Sequence, residues 1–213
     1  IDKCAKLSFL DHIVDQAREQ EVFSREDVPT EERVWAAFLY HSGLSYLKVG
    51  LALNHSHEAV HQWYHQIAEL FDPESDRHGV IAVDETKVAT EDEEIYVWAA
   101  VNVDMFETVH VEVSLDRSDL DALVFLKTVL ARFHGEPVVL ADRGPWYDWP
   151  LNDFDLPCRS RRETWGERSL VEAWFFVFKY RTMLFLARLP YPSSWQSADR
   201  WAKAFATFHN ALR

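Results

Sequence analysis

Cysteine is nearly absent from this sequence: Cys4 and Cys158 are the only two, and neither sits in a C-x-x-C pair. That excludes a disulfide scaffold and a cysteine zinc site, and it fits a reducing cytoplasm. Long apolar runs are missing too. The most apolar stretch, Ala173 to Leu189, is broken by Lys179, Arg181 and Arg188, so it reads as a buried helix rather than a membrane span. No secretory signal is visible, and the chain starts at Ile1 rather than Met, so the natural N-terminus is expected to lie upstream. Lysine is scarce, at seven residues against 15 arginines and 35 acids. An acidic, lysine-poor surface is what keeps a protein soluble in concentrated salt, and a halophilic source is expected.

What is present is enough for one medium domain and a small one: 213 residues, 48% of them hydrophobic. The net charge of −13 opposes nucleic-acid binding at first sight. The charge is polarised, however. From Arg159 to Arg213 there are ten basic and four acidic residues, a net of +6, which leaves −19 on the rest. A basic C-terminal quarter on an acidic body suggests a localised anion-binding surface. In high salt, counterion release loses much of its drive, so phosphate contacts there would have to be short and direct.

The first part of the chain has helical periodicity. Leu10, Ile13, Val14 and Ala17 predict an amphipathic helix over 7–20. Residues 24–33 are a charged linker with Pro29. Three short helices follow, over 31–42, 45–53 and 56–70, with Gly43 in the first turn and Ser45 as a cap. Leu47, Val49 and Leu53 are expected to face inward on the second, and Val60, Trp63, Ile67 and Leu70 on the third. Short helices joined by tight turns describe a helix-turn-helix or, equally, an ordinary three-helix bundle. His57, His61 and His65 lie four apart on the third helix, with Glu69 continuing the row. Ligands spread over several turns cannot all reach one ion, so an exposed polar face is preferred to a zinc site. In a DNA groove, His57, Glu58, His61 and Gln62 would be the base-edge candidates.

Beyond a linker at 71–79 the pattern becomes extended. Strands are predicted over 80–88, 94–104 and 107–115. An amphipathic helix with Leu120, Leu123, Val124 and Leu130 follows and stops at Gly135. Next come a short strand ending at Asp142, another near 156–160, a long helix over 168–189 and a last helix over 197–212. Three successive strands make a meander. The following helix is a right-handed crossover that places the fourth strand parallel to the first. Asp84 and Asp142 each end an unbroken apolar run, at the strand end where open α/β sheets bind ligands.

Singly, each aspartate is more often a turn residue than a catalyst. Side by side, two carboxylates are costly unless a cation separates them, and hard oxygen donors favour Mg²⁺ or Mn²⁺. Glu163, Glu167 and Glu172 compete to be the third acid of a two-metal site. Glu163 can be neutralised by Arg161 and Arg162, and Glu167 sits at a helix start, where the dipole stabilises it. Val171, Trp174, Phe175 and Phe178 form the buried stripe of the long helix. Glu172 lies on its margin, in line with Arg168 and near Lys179. An i, i+4 surface pair is the plain alternative for Glu172.

The segments IAVDETKV, VLADRGPWYDW and GERSLVEAWFFVFKYRT, with helices upstream, resemble the DDE transposases of prokaryotic insertion sequences, namely insertion-sequence family six and its haloarchaeal relatives. The resemblance spans 32–212. It implies an α/β fold: a ribonuclease-H-like catalytic domain over 79–213, with a mixed sheet and flanking helices. It also implies an all-α helix-turn-helix over 31–72 and an N-terminal helix and linker over 1–30. Motif by motif, it makes Asp84, Asp142 and Glu172 the catalytic acids and metal ligands, with two Mg²⁺ or Mn²⁺ per site. Fifty-seven residues lie between the aspartates and 29 between Asp142 and Glu172, and the second motif reads D-R-G where many members have D-G or D-x-S.

The expected activity is transposition: cleavage at a 3′ end, then attack of the freed 3′-hydroxyl on target DNA. Partners would be the element's terminal inverted repeats, target DNA and further copies of the chain, as a homodimer or larger multimer, with no membrane. Arg168, Lys179 and Arg181 would hold phosphates. Trp146 and Trp149 could stack on bases, although core packing is the preferred use of either. Rival expectations are a ribonuclease-H-like nuclease without strand joining, or a non-catalytic DNA-binding remnant of a mobile element. The halophilic expectation is directly testable: the chain should keep its far-ultraviolet circular dichroism in molar KCl, and unfolding there refutes it.

Overall fold

A computed structural model of the chain describes residues 8–24, 27–73, 79–90, 93–162, 166–183 and 194–212. It divides into two compact units, one of Ile1–Asp72 with Arg200–Arg213 and one of Pro73–Asp199. The division falls between Asp72 and Pro73. The C-terminal boundary differs from expectation, because most of the last helix belongs with the N-terminal helices rather than with the sheet.

The helical unit contains α1 (Ser8–Glu19), α2 (Thr30–His41), α3 (Tyr46–Leu53) and α4 (His57–Gln66), which runs on into a 3₁₀ turn at Ile67–Leu70. Local signals set the joints. Gly43 takes φ 115° after α2, and Asn54 caps α3 in the left-handed region at φ 60°. The Ser45 and Ser56 side chains accept from the N–H groups of Lys48 and Ala59 at the starts of α3 and α4. Gly50 lets the next turn come close: a Cβ there would lie 2.6 Å from the His55 carbonyl oxygen.

The core of this unit is aromatic. Tyr40 is fully buried, stacks on Tyr46 at 3.7 Å and meets the edge of Tyr64 at 4.6 Å. Its hydroxyl accepts from Trp201 Nε1 at 2.9 Å, so the polar tip is satisfied inside the core. Trp201 lies on the final helix, and Phe205 and Phe208 from that helix are also buried. The apolar face of that helix does not by itself specify which unit it completes.

Two expectations for these helices need correction. Leu47 is exposed, as is Leu51, whereas Val49 is buried and Leu53 half-buried, so α3 turns a narrower stripe inward than its composition suggests. The histidine row of α4 is not one exposed face. His57 is exposed, His61 is half-buried between Tyr46 and His65, and His65 is buried. Val60, Trp63, Ile67 and Leu70 are all buried as expected.

In the second unit, β1 (Val80–Ala89), β2 (Glu94–Asn102) and β3 (Glu107–Ser114) form an antiparallel meander. A crossover through α5 (Asp119–Leu130) leads to β4 (Val138–Ala141), parallel to β1, and β5 (Arg159–Arg162) lies parallel to β4. The sheet order is β3-β2-β1-β4-β5. The meander and the parallel pairing of the first and fourth strands are as the sequence pattern predicts. β5 starts three residues later than 156–160. A short helix, α6 (Asp148–Asn152), and a long one, α7 (Ser169–Met183), complete the sequence with α8 (Trp195–Ala211). The expected continuation of α7 to 189 lies outside the described residues.

α5 begins with a capping box in which the Ser118 and Asp121 side chains satisfy each other's backbone N–H groups. Phe125, Leu126 and Val129 pack with Ile81, Val83, Trp98 and Val139 on one sheet face. Leu120 and Val124, apolar at helical spacing, point instead to solvent. Val171, Trp174, Phe175 and Phe178 form the buried stripe of α7, which packs along β1 and β2.

Burial gives the helical unit a pH dependence. His65 is driven down to about 3 by burial first, and then by the nearby charges of His61 and Arg200. The unfolded chain takes up this proton below about 6.5 while the folded one resists, so stability is complete above that pH and is lost as pH falls toward 3. Going from pH 7 to pH 5 should cost about 2 kcal/mol from this group. Urea midpoints across that range should slope less steeply in His65→Gln, and equal slopes would contradict the assignment.

Candidate active site

Each aspartate lies just past the last parallel pair of β1 and β4, Ala82–Leu140, so Asp84 sits in the middle of β1 rather than at its end as expected. Asp84 lies on β1, and Asp142 directly follows β4, which pairs with β1 from Val80 to Ala82. Side chains alternate along a strand, so Asp84 shares a face with Ala82 and Thr86 while Glu85 points to the opposite one. Asp142 is fixed by the D-R-G turn. One of its carboxylate oxygens accepts from the Gly144 N–H at 2.7 Å. Arg162 on β5 donates to the Asp142 carbonyl at 2.6 Å and to Asp148 at 2.8 Å. Glycine is required at 144, because a Cβ would stand 2.6 Å from the Trp146 ring and 2.9 Å from Asp142 Oδ1.

The third acid comes from α7. Arg168, in the 3₁₀ turn at Gly166–Arg168 that precedes α7, projects a guanidinium into the space between the three elements. Its Nη2 lies 2.8 Å from Asp84 Oδ1 and 3.7 Å from Asp142 Oδ2, and its Nη1 donates to Glu172 Oε1 at 2.6 Å. Three carboxylates from separate stretches of sequence thus converge on a single cation. Of the competing glutamates, Glu167 pairs with Arg161 in an exposed contact, and Glu163 lies outside the described residues.

The electrostatics are those of a crowded acidic site. Burial pushes Asp84 up to about 6, the charges of Glu85 and Asp142 add to this, and Arg168 opposes it. The Asp84 side chain is 14% exposed and that of Glu172 47% exposed, so the cluster runs from the middle strand of the sheet out to solvent.

The remaining expected residues are more dispersed. Arg168 and Arg181 are buried, and Lys179 is exposed on α7. Arg168 therefore engages the acids rather than presenting itself as a surface phosphate clamp. On α4, His57 and Gln62 are exposed and His61 is half-buried. Trp149 is exposed and meets Phe154 edge-on, whereas Trp146 is half-buried against the core.

Glu85 is a site residue that the sequence reading passed over. Its side chain is only 4% exposed and accepts from Arg117 Nη1 at 3.2 Å, Trp146 Nε1 at 3.1 Å and Tyr147 OH at 3.2 Å. Arg117 also lies 3.8 Å over the Trp146 ring. Glu85 thereby ties the middle of β1 to the segment that follows Asp142. The available signal was a second acid beside Asp84 together with a Trp-Tyr pair four residues past Asp142, and nothing in the spacing links the two.

A divalent cation suits this donor set. Three hard carboxylates face one positive group, and the two aspartates lie within reach of the same Arg168 nitrogen. Among the described residues, no three His, Cys, Asp or Glu side chains are grouped closely enough to ligate one ion as they stand. Each of the three acids contacts the guanidinium instead.

No family model matches the chain. Over 200 residues it is 36% identical to an uncharacterized protein of Methanocaldococcus jannaschii, covering 92% of each sequence. The chain belongs to the family of that archaeal protein. Among solved structures it is similar to a chain of the simian T-cell lymphotropic virus intasome in complex with PP2A regulatory subunit B56 gamma, with 12% identity, a TM-score of 0.49 and coverage of 81% of this chain and 67% of that one. It is also similar to the HTLV-2 integrase catalytic core domain in complex with magnesium, with 13% identity, a TM-score of 0.45 and coverage of 63% and 87%. At these scores neither likeness carries the fold, which rests on the strand order and pairing above.

The Glu85 contacts generate a stability prediction. Glu85→Ala leaves three donors without their acceptor and should cost about 3 kcal/mol in urea unfolding. Glu85→Gln keeps an acceptor oxygen and should cost clearly less. Equal losses in the two variants would show that the acceptor is not what matters.

Proposed function

We propose that the chain is a DDE transposase: a metal-dependent polynucleotidyl transferase with a ribonuclease-H-like sheet and the catalytic acids Asp84, Asp142 and Glu172. The observation that carries this reading is the convergence of those three carboxylates on the Arg168 guanidinium. A meander followed by two parallel strands, with one acid inside the first strand and another directly after the fourth, supports it. So do the three transposase-like sequence motifs, which contribute these same residues in the same order.

In this reading Asp84 supplies the first acid, from the middle strand of the sheet. Asp142 is held on one side by the Gly144 N–H and on the other by the grip of Arg162 on its carbonyl. Glu172 closes the site from the half-exposed margin of α7, where it can meet a substrate approaching from solvent. When bound, Mg²⁺ or Mn²⁺ supplies Lewis acidity at the scissile phosphate. Arg159 and Arg161 are exposed on β5, and Arg143 is exposed beside the turn. These residues give the sheet edge nearest Asp142 a cationic margin suited to a phosphodiester backbone. His57 and Gln62, exposed on α4, are the base-edge candidates of a helix-turn-helix that reads the element's ends. Synapsis of two ends calls for at least two copies of the chain.

The test is a strand-transfer assay using the DNA that flanks the gene as donor, with Mg²⁺ or Mn²⁺. Wild type should both cleave and join. Asp84→Asn, Asp142→Asn and Glu172→Gln should each lose more than about a hundredfold of both activities while remaining folded. Cleavage without any joined product would indicate a nuclease. Full activity in Asp84→Asn would remove the three acids from the chemistry.

A further inference from the structure

The central group of the acidic cluster is itself basic, and its burial sets it apart from a phosphate-binding arginine. The Arg168 side chain is 6% exposed, and its two terminal nitrogens reach all three acids. Among the described residues its buried Nε has no hydrogen-bond partner, so the guanidinium forgoes one donor there to hold this position. Such a posture is expected of a counter-ion, because a buried group of carboxylates must be neutralised by something.

We propose that Arg168 is an internal place-holder for the divalent ions, and that metal binding requires its guanidinium to withdraw from Asp84 and Asp142. The inference rests on the reading of Asp84, Asp142 and Glu172 as metal ligands. Three carboxylates carry a formal charge of −3. A guanidinium and two dications among them would total +5, so the guanidinium and the ions compete for the same oxygens. The geometry offers a way out. Glu172 is one helical turn from Arg168 and contacts Nη1, whereas the aspartates contact Nη2. The intrahelical i, i+4 contact can persist while Nη2 leaves the strands. Once released, the guanidinium is available to a phosphate at the same site, so ion entry and phosphate capture become coupled through one side chain.

Because only molecules with Arg168 withdrawn can take the ion, the apparent affinity of the wild type is weakened by the fraction in which it is withdrawn. Mn²⁺ binding to the full chain, measured by isothermal titration calorimetry without DNA, tests this. Wild type should bind, Asp84→Asn should lose binding, and Arg168→Gln should bind about tenfold tighter or more. Binding detected only in Arg168→Gln would equally support the place-holder. Unchanged or weaker binding in Arg168→Gln, with wild-type binding still abolished by Asp84→Asn, overturns the place-holder role and leaves the three-acid site standing. Absence of Mn²⁺ binding in both wild type and Arg168→Gln overturns the site reading and this inference together. If Arg168→Gln does not fold, a crystal structure of the wild type with Mn²⁺ decides. A guanidinium beyond ion-pair reach of both aspartates supports the proposal, and one still paired with Asp84 overturns it.

Discussion

Asp84 and Asp142 share one guanidinium just past the paired stretch of β1 and β4, and burying their charges near each other is unfavourable unless positive charge lies between them. Much of the sheet unit's local structure answers that constraint. The 3₁₀ turn before α7 delivers Arg168 to the gap, and the aromatic stripe of α7 anchors that turn by packing along β1 and β2. On the opposite sheet face, Glu85 poses the same problem and meets it differently, with one arginine, an indole N–H and a phenol. Burial, and after it the charges of Glu85 and Asp142, raise the protonation range of Asp84 against the opposing Arg168.

The second acid shows how backbone and side chain share the task. Asp142 occupies a turn in which its own carboxylate caps the Gly144 N–H, a local bond that any Asx turn would make. The difference lies in the neighbours. Arg162 on β5 holds the carbonyl, and the Trp146 ring leaves no room for a side chain at Gly144. The D-R-G form of the motif therefore has a steric reason in this chain.

The sheet was legible in the sequence because β1 and β4 are short apolar runs and β3 alternates cleanly, patterns that specify both strand and burial. The Val171–Trp174–Phe175–Phe178 stripe was also legible as the buried side of α7, and Glu172 on its margin is in contact with Arg168. The path of long side chains was not. Arg168 and Arg181 look alike in sequence, as cations on or beside one helix, yet only tertiary packing decides that Arg168 is drawn among the acids. The histidines of α4 illustrate the same limit: their spacing defines a row, but the burial that separates His57 from His65 comes from neighbouring elements. Periodicity identifies a face without naming its partner, so the assignment of α8 to the helical unit was likewise beyond its reach.

That assignment bears on the order in which the chain can mature. Tyr40 and Tyr64 are made early in synthesis, whereas Trp201, Phe205 and Phe208, which fill the same core, emerge only after the whole sheet unit has been translated. The helical unit is thus a clasp whose second half arrives last. An interrupted translation product carries the N-terminal helices with an open aromatic core, so a truncated copy is poorly placed to persist as a stable competitor of the full-length chain.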